Sequence, residues 1–213
     1  MADKTSKKEF RKQKRVEERA RKAREERTRT IVTIGGLVLI VAITLGLVLF
    51  TAASSNPIGT FVQSLGNQHV GAATDPHVPY NSTPPTSGPH LGGIAEWGIH
   101  KEPIPNELQV HNLEDAGVNI QYDCAEPEST SCKEMVAALT LIVTSYQQAA
   151  SSSGREARLV LAPYPGIRQA SGGKPIALTA WQHILYLDTV DEAKIRQFID
   201  AYMGIDHHVA GQG

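Results

Sequence analysis

From Ile31 to Ala53 the chain reads IVTIGGLVLIVAITLGLVLFTAA, 23 residues without a charge. As a helix rising about 1.5 Å per residue, such a run spans roughly 34 Å, enough to cross a bilayer core about 30 Å thick with some tilt. It divides the chain into a short N-terminal arm and a long C-terminal remainder.

The charges divide at the same point. The formal net charge of −1 conceals 13 Lys/Arg against 6 Asp/Glu in residues 1–30, and 8 against 16 in residues 31–213. A basic flank beside an apolar run predicts a cytoplasmic N-terminus, which puts the acidic remainder outside the plasma (inner) membrane. Thr51-Ala52-Ala53 resembles a signal-peptidase site, but both the basic flank and the apolar run are long for a signal peptide, whose apolar region is about 7–15 residues. The reading is an uncleaved anchor.

Residues 7–29 are good helix formers with almost no apolar stripe. Such a helix is solvated or lies on anionic headgroups. The lipid contact is therefore expected through residues 31–53. In the outer part, no glycine-rich phosphate loop, zinc-finger spacing or aromatic–basic surface points to nucleic acid.

The expected organisation is a basic tail (1–30), a transmembrane helix (31–53), a connector (54–80), an extracytoplasmic domain (81–205) and a tail (206–213). Both cysteines, Cys124 and Cys132, fall outside the membrane. An even count in an oxidising compartment reads as a structural disulfide. A redox or metal-binding pair is the alternative, though the spacing is not C-x-x-C.

Within the domain, residues 81–110 read as ordered loop, with prolines at 84, 85, 89, 103 and 105. No regular helix or strand is expected through NSTPPTSGPHLGG (81–93). GVNIQY (117–122) alternates like a strand. Residues 132–150 show helical spacing through Met135, Val136, Leu139, Ile142, Val143 and Tyr146, and stop at SSSG. RLVLA (158–162) is a second strand. IALTAWQHILYL (176–187) is one or two more, with a tight hairpin around Gln182. Residues 188–203 form a helix capped by Asp188 or Thr189, with Ile195, Phe198, Ile199 and Tyr202 facing the core. Strand–helix–strand–strand–helix predicts a parallel first pair in a small α/β or α+β sandwich. A thioredoxin-like arrangement is one fit to that order.

Five spaced motifs carry a family resemblance: PPTSGPH (84–90), AEWGIH (95–100), VHNLEDAGV (110–118), APYPG (162–166) and ALTAW (177–181). In this order they resemble the bacterial family known as domain of unknown function 3105, over about residues 60–205. The resemblance implies a single-span protein with its domain outside the cytoplasm, and no assigned activity. The family's usual HNLEHG carries a second histidine. Here the segment is HNLEDAG, with Asp115 the nearest substitute and one extra residue in the turn.

The residues themselves suggest three chemistries. His90, His100 and His111 sit on segments expected to pack against one sheet edge. Imidazoles suit copper or zinc, and an extracytoplasmic site suits copper. Glu114 or Asp115 would complete the ligand set, with Met135 as a softer ligand for reduced copper. The loop around Pro85, Ser87 and Gly88, with Trp97 and Glu114, would form the rigid pocket. The plainer alternative is that the prolines only stiffen a loop and His90 caps backbone groups.

A hydrolase using Ser87 and His90 is the second reading, although no G-x-S-x-G elbow is present. A carboxylate pair among Glu114, Asp115 and Asp123 for glycoside cleavage is the weakest. His207 and His208 end the chain as a mobile tail and form a poor ligand signal on their own. Trp97 and Trp181 read as core or rim residues. The sequence as a whole favours a binding or accessory protein, with a possible envelope protein partner, over an enzyme.

Overall fold

The computed structural model describes residues 58–208, together with Arg24, Thr33–Gly36 and Thr44, which are helical. The expected span Ile31–Ala53 lies outside the described residues except at five positions, and so does nearly all of the basic tail. Among the described residues no helix is long and apolar enough to cross a membrane. The chain divides after Asn56, and Pro57–Gly213 forms one compact unit.

In that unit the elements run as β1 (Thr60–Phe61), β2 (His69–Val70), β3 (His90–Leu91), β4 (Gly98–Ile99), α1 (Asn106–Glu114), β5 (Val118–Tyr122), α2 (Thr130–Ser152), β6 (Leu159–Pro163), α3 (Ile167–Ser171), β7 (Ile176–Ala180), β8 (His183–Leu187) and α4 (Glu192–Tyr202). Six strands form one mixed sheet in the order β1-β8-β7-β5-β6-β4, and β2 and β3 form a separate parallel pair. The fold is mixed α+β. β5 and β6 are parallel neighbours joined through α2, as the strand–helix–strand order predicts. β7 runs antiparallel to β5 and to β8.

The sheet is covered on both faces. On one, Val118, Ile120, Leu159, Leu161, Ile176 and Leu178 meet Leu139, Ile142 and Val143 of α2 and Ile195, Phe198 and Ile199 of α4. Burial of these side chains from water, at about 1.5–3 kcal/mol each, is the main stabilising contribution. On the other face the polar half of GVNIQY is buried rather than wet. Asn119 Nδ2 donates to Gln109 O (3.1 Å), Gln121 Nε2 donates to Gln109 Oε1 (2.6 Å), and Thr179 Oγ1 donates to Gln121 Oε1 (3.3 Å). This network seats α1 on the sheet by hydrogen bonds, because a buried amide left unpaired is destabilising.

Four expectations need correction. Residues 106–114 are helical, not loop. The segment NELQVHNLE has only Leu108, Val110 and Leu113 as apolar residues, and its buried positions are mostly polar, so it shows no amphipathic period. His90–Leu91 pairs as a short strand with His69–Val70, which breaks the expected run of pure loop. The final helix is capped by Asp191, whose Oδ1 accepts from Lys194 N at 3.1 Å, rather than by Asp188 or Thr189. The segment read as connector contributes β1 to the main sheet and β2 to the small one. The hairpin around Gln182 is present, with Gln182 at φ +62° and Ala180 paired to His183.

Candidate metal centre

The loop carrying His90 is tied on several sides. Gly88 N donates to Gly66 O (2.9 Å), His90 N to Gln68 O (3.0 Å) and Gln182 N to Thr86 O (3.0 Å). Leu65 N donates to Ser87 Oγ (3.1 Å), and the Tyr80 and Tyr186 hydroxyls donate to Pro89 O and Thr83 O. Gly88 sits at φ +123°, where a Cβ would press on Tyr80 and Leu65. Pro85, Ser87, Gly88 and His90 are all buried. The prolines hold the ends of this loop, and its backbone is spent on neighbouring segments.

Three histidines and one glutamate converge. His69 and His90 are register partners in the β2–β3 pair, and His111 and Glu114 lie three residues apart on the last turn of α1. Ring centroids are 4.9 Å apart for His69–His90, 5.3 Å for His69–His111 and 5.0 Å for His90–His111. One ligand atom from each of His69, His90, His111 and Glu114 lies within 4.8 Å of the others. Tetrahedral ligands about 2.1 Å from an ion would stand roughly 3.4 Å apart. The observed His90 Nε2–Glu114 Oε2 and His69 Nε2–Glu114 Oε2 separations, 2.8 and 3.9 Å, bracket that value.

The hydrogen bonds around these groups leave the converging atoms free. His90 Nδ1 faces Gly88 O at 2.8 Å and His111 Nδ1 faces Leu91 O at 2.6 Å. A carbonyl partner requires N–H at that nitrogen, so each Nε2 carries the lone pair in the neutral ring. Asn67 Nδ2 donates to Glu114 Oε1 at 2.9 Å, which leaves Oε2 toward the imidazoles. Burial lowers the His90 pKa below its ordinary value and so favours the neutral ring, outweighing its bond to Gly88 and the nearby Glu114 charge.

His90 Nε2 and Glu114 Oε2 are therefore two buried acceptors facing each other with no hydrogen-bond partner. Their 2.8 Å approach does not meet hydrogen-bond geometry.

A second group adjoins the first. Ligand atoms of His111, Asp115 and His208 also lie within 4.8 Å of one another. A cavity of about 450 Å³ opens beside them, lined by Gly66, Asn67, Gln68, His69, Glu114 and His208.

Of the residues singled out in the sequence, His90, His111, Glu114 and Asp115 come together, and Trp181 packs edge-on to His90 at 6.3 Å. His100 does not join them. It lies beside the edge strand β4, and its Nε2 is bonded to Glu96 O at 2.8 Å. Met135 packs at the margin of the main core. Trp97 is half-buried against Gly117.

Ser87 is not placed to act with His90 as a hydrolytic pair. Its hydroxyl is fully buried and accepts from Leu65, while the two nitrogens of His90 face Gly88 and Glu114. Asp123 sits at the far end of β5 from Glu114 and Asp115, where its Oδ2 accepts from Gly166 N and Arg168 N, both at 3.0 Å. Cys124 and Cys132 are disulfide-bonded and close the turn from β5 into α2.

His69 is the member of this cluster that sequence reasoning missed. Its neighbourhood, GNQHVG, has no motif, and only the pairing of β2 with β3 brings it to the site. His208, read from the sequence as a poor ligand signal on a mobile tail, is instead turned back by the fold over the end of α1.

The fold and the site define a mixed α+β domain with a histidine–glutamate cluster, buried at His90, His111 and Glu114 and open at His69, at the end of a sheet-bound helix. The chain belongs to the family described as Protein of unknown function (DUF3105), whose model matches residues 71–210. No curated protein and no solved structure matches the chain.

Proposed function

We propose that this is a single-span, membrane-anchored protein whose extracytoplasmic domain binds one transition-metal ion through His69, His90, His111 and Glu114. The observation that carries this reading is the unpartnered pair His90 Nε2 and Glu114 Oε2. Two buried lone pairs 2.8 Å apart repel unless a cation joins them. Burial lowers the His90 pKa and so disfavours a proton on that ring. A metal ion satisfies both atoms and uses the Nε2 of His69 and His111 as well.

Three imidazoles and a carboxylate suit Zn²⁺ or Cu²⁺. With no thiolate or thioether in the set, reduced copper is disfavoured. The Gly88, Leu91 and Asn67 contacts are the outer partners that fix ligand orientation in metal sites. The strand order β8-β7-β5-β6 supports reading the second half of the domain as thioredoxin-like, with the disulfide acting as a staple.

The anchor reading rests on the uncharged run 31–53 and its basic flank. A protease added to intact cells stripped of their wall should digest the domain and spare residues 1–30. Protection of the domain would overturn the topology.

The metal reading is tested on the full chain in detergent, purified without a histidine tag. Elemental analysis and Zn²⁺ and Cu²⁺ titrations should give one ion per chain, with affinity lost by at least about a hundredfold in His90→Ala and His111→Ala. A wild-type protein that takes up no stoichiometric metal ends the reading.

A further inference from the structure

The C-terminal segment after α4 is held against the end of α1. Gly204 N donates to Ala116 O (2.8 Å) and His207 N donates to Glu114 O (3.0 Å). The His207 ring stacks on Trp181, with centroids 5.9 Å apart and planes 21° from parallel. These contacts bring His208 over the site. Its Nε2 lies 3.5 Å from Asp115 Oδ1 and 3.8 Å from Glu114 Oε2. Its Nδ1 is 2.7 Å from Asp206 Oδ1. A carboxylate on Nδ1 fixes a proton there and turns Nε2 toward the site, the arrangement that orients ligating histidines.

We infer that His208 and Asp115 form with His111 an outer subsite, through which a metal ion enters and leaves the inner site; this rests on the metal-binding reading above. The two sets share His111. Its Nδ1 is committed to Leu91 O, so Nε2 can serve one set at a time. The centre therefore holds one ion with two positions, not two ions. The positions also differ in access. The His208 and Asp115 side chains are 40% and 31% exposed, whereas in the inner set those of His90 and Glu114 are 0% and 1%, with His69, at 51%, its solvent-facing member. Glu114 Oε2 is 3.9 Å from His69 Nε2 and 3.8 Å from His208 Nε2, so it faces both sets. An ion held by Asp115 and His208 passes inward by exchanging these ligands for His90 and His69, while His111 and Glu114 stay within reach. Such stepwise exchange avoids a naked ion at any point.

The test is stopped-flow loading of the full-length protein with Zn²⁺, and removal of Zn²⁺ by a chelator. Wild type is compared with His208→Ala, Asp115→Asn and Asp206→Asn. In the first two variants loading and removal should both slow by about tenfold, while the equilibrium affinity changes by less than about threefold, because the inner ligands remain. Asp206→Asn should slow both steps less, since it loosens the His208 ring without deleting it. Unchanged rates overturn the inference. So does faster removal with unchanged loading, which would make His208 a static extra ligand or lid. A wild type that binds no Zn²⁺ at all would instead overturn the metal reading itself, and that result is visible before any variant is made.

Discussion

His90 Nε2 and Glu114 Oε2 lie 2.8 Å apart, buried, and neither has a hydrogen-bond partner. Glu114→Gln separates the two ways of satisfying them. The amide oxygen can still accept from Asn67, and the amide nitrogen puts a donor in place of one of the two facing acceptors. The metal-free variant should therefore be more stable than metal-free wild type by about 1–2 kcal/mol, while Zn²⁺ binding is lost. Thermal unfolding with and without Zn²⁺ reads both effects. A variant that is destabilised without metal contradicts the assigned protonation.

Metal should stabilise the wild-type fold in proportion to its occupancy. At a free ion concentration about a hundred times Kd the gain is about 2.7 kcal/mol. For a domain of this size that is roughly 5–10 °C in Tm. Calorimetry against a chelator blank checks it, and His69→Ala should lose the shift as His90→Ala does. A shift that survives in His69→Ala would remove His69 from the ligand set.

Acid should weaken the metal-free domain. Burial holds the His90 imidazole below its ordinary value of 6.5, so near that value the unfolded chain binds more protons than the folded one. Stability contributed by the neutral ring is then present above 6.5 and lost as pH falls from 6.5 toward the lowered folded value, with no further loss below it. Bound metal adds a second loss in the same direction, because protons compete for the imidazoles. Denaturant titrations between about pH 5 and pH 8 test the sign. Stability that rises on acidification would mean the ring is charged in the fold.

Gly117→Ala tests the junction that aims α1 at the sheet. A Cβ there would meet the Trp97 ring at 2.6 Å and collide with Asn112 O. Asn112 bridges to the backbone of Ala95 at 2.9 Å in both directions, one residue beyond His111. The substitution should cost about 1–3 kcal/mol and weaken metal binding, because His111 and Glu114 share that turn. Urea unfolding together with a Zn²⁺ titration reads the two losses. Loss of stability with unchanged affinity would separate the junction from the site.

The disulfide should behave differently. Cys124 and Cys132 enclose a short loop at the other end of β5, and replacing both with Ala should cost about 2–3 kcal/mol. Zn²⁺ affinity should stay within about threefold, since the loss acts mainly on the unfolded chain. A collapse of metal binding in the double variant would tie the two ends of β5 together.

Much of the fold was readable residue by residue. Burial of an apolar stripe at helical or strand period leaves its mark in the sequence, which is why β5, α2, β6, the Gln182 hairpin and α4 fall where the pattern puts them, within a few residues at their ends. Helix α1 left no such mark. Its buried face includes Gln109, His111, Asn112 and Glu114, and its fully buried apolar residues are Val110 and Leu113.

The sequence by itself determined the uncharged run with its basic flank, the two cysteines in reach of each other, and a rigid loop ending in His90. Their chemistry is local: chain length, charge order and proline geometry need no partner from elsewhere. Only the tertiary structure decided that His69 and His208 would join His111 and Glu114 beside that loop. They come from a two-residue strand, a polar helix and a tail, and no periodic pattern links them. What unites them is the pairing of β2 with β3 and the seating of α1 through Asn119 and Gln121. These contacts join residues far apart in the chain, and local propensity carries no information about such contacts.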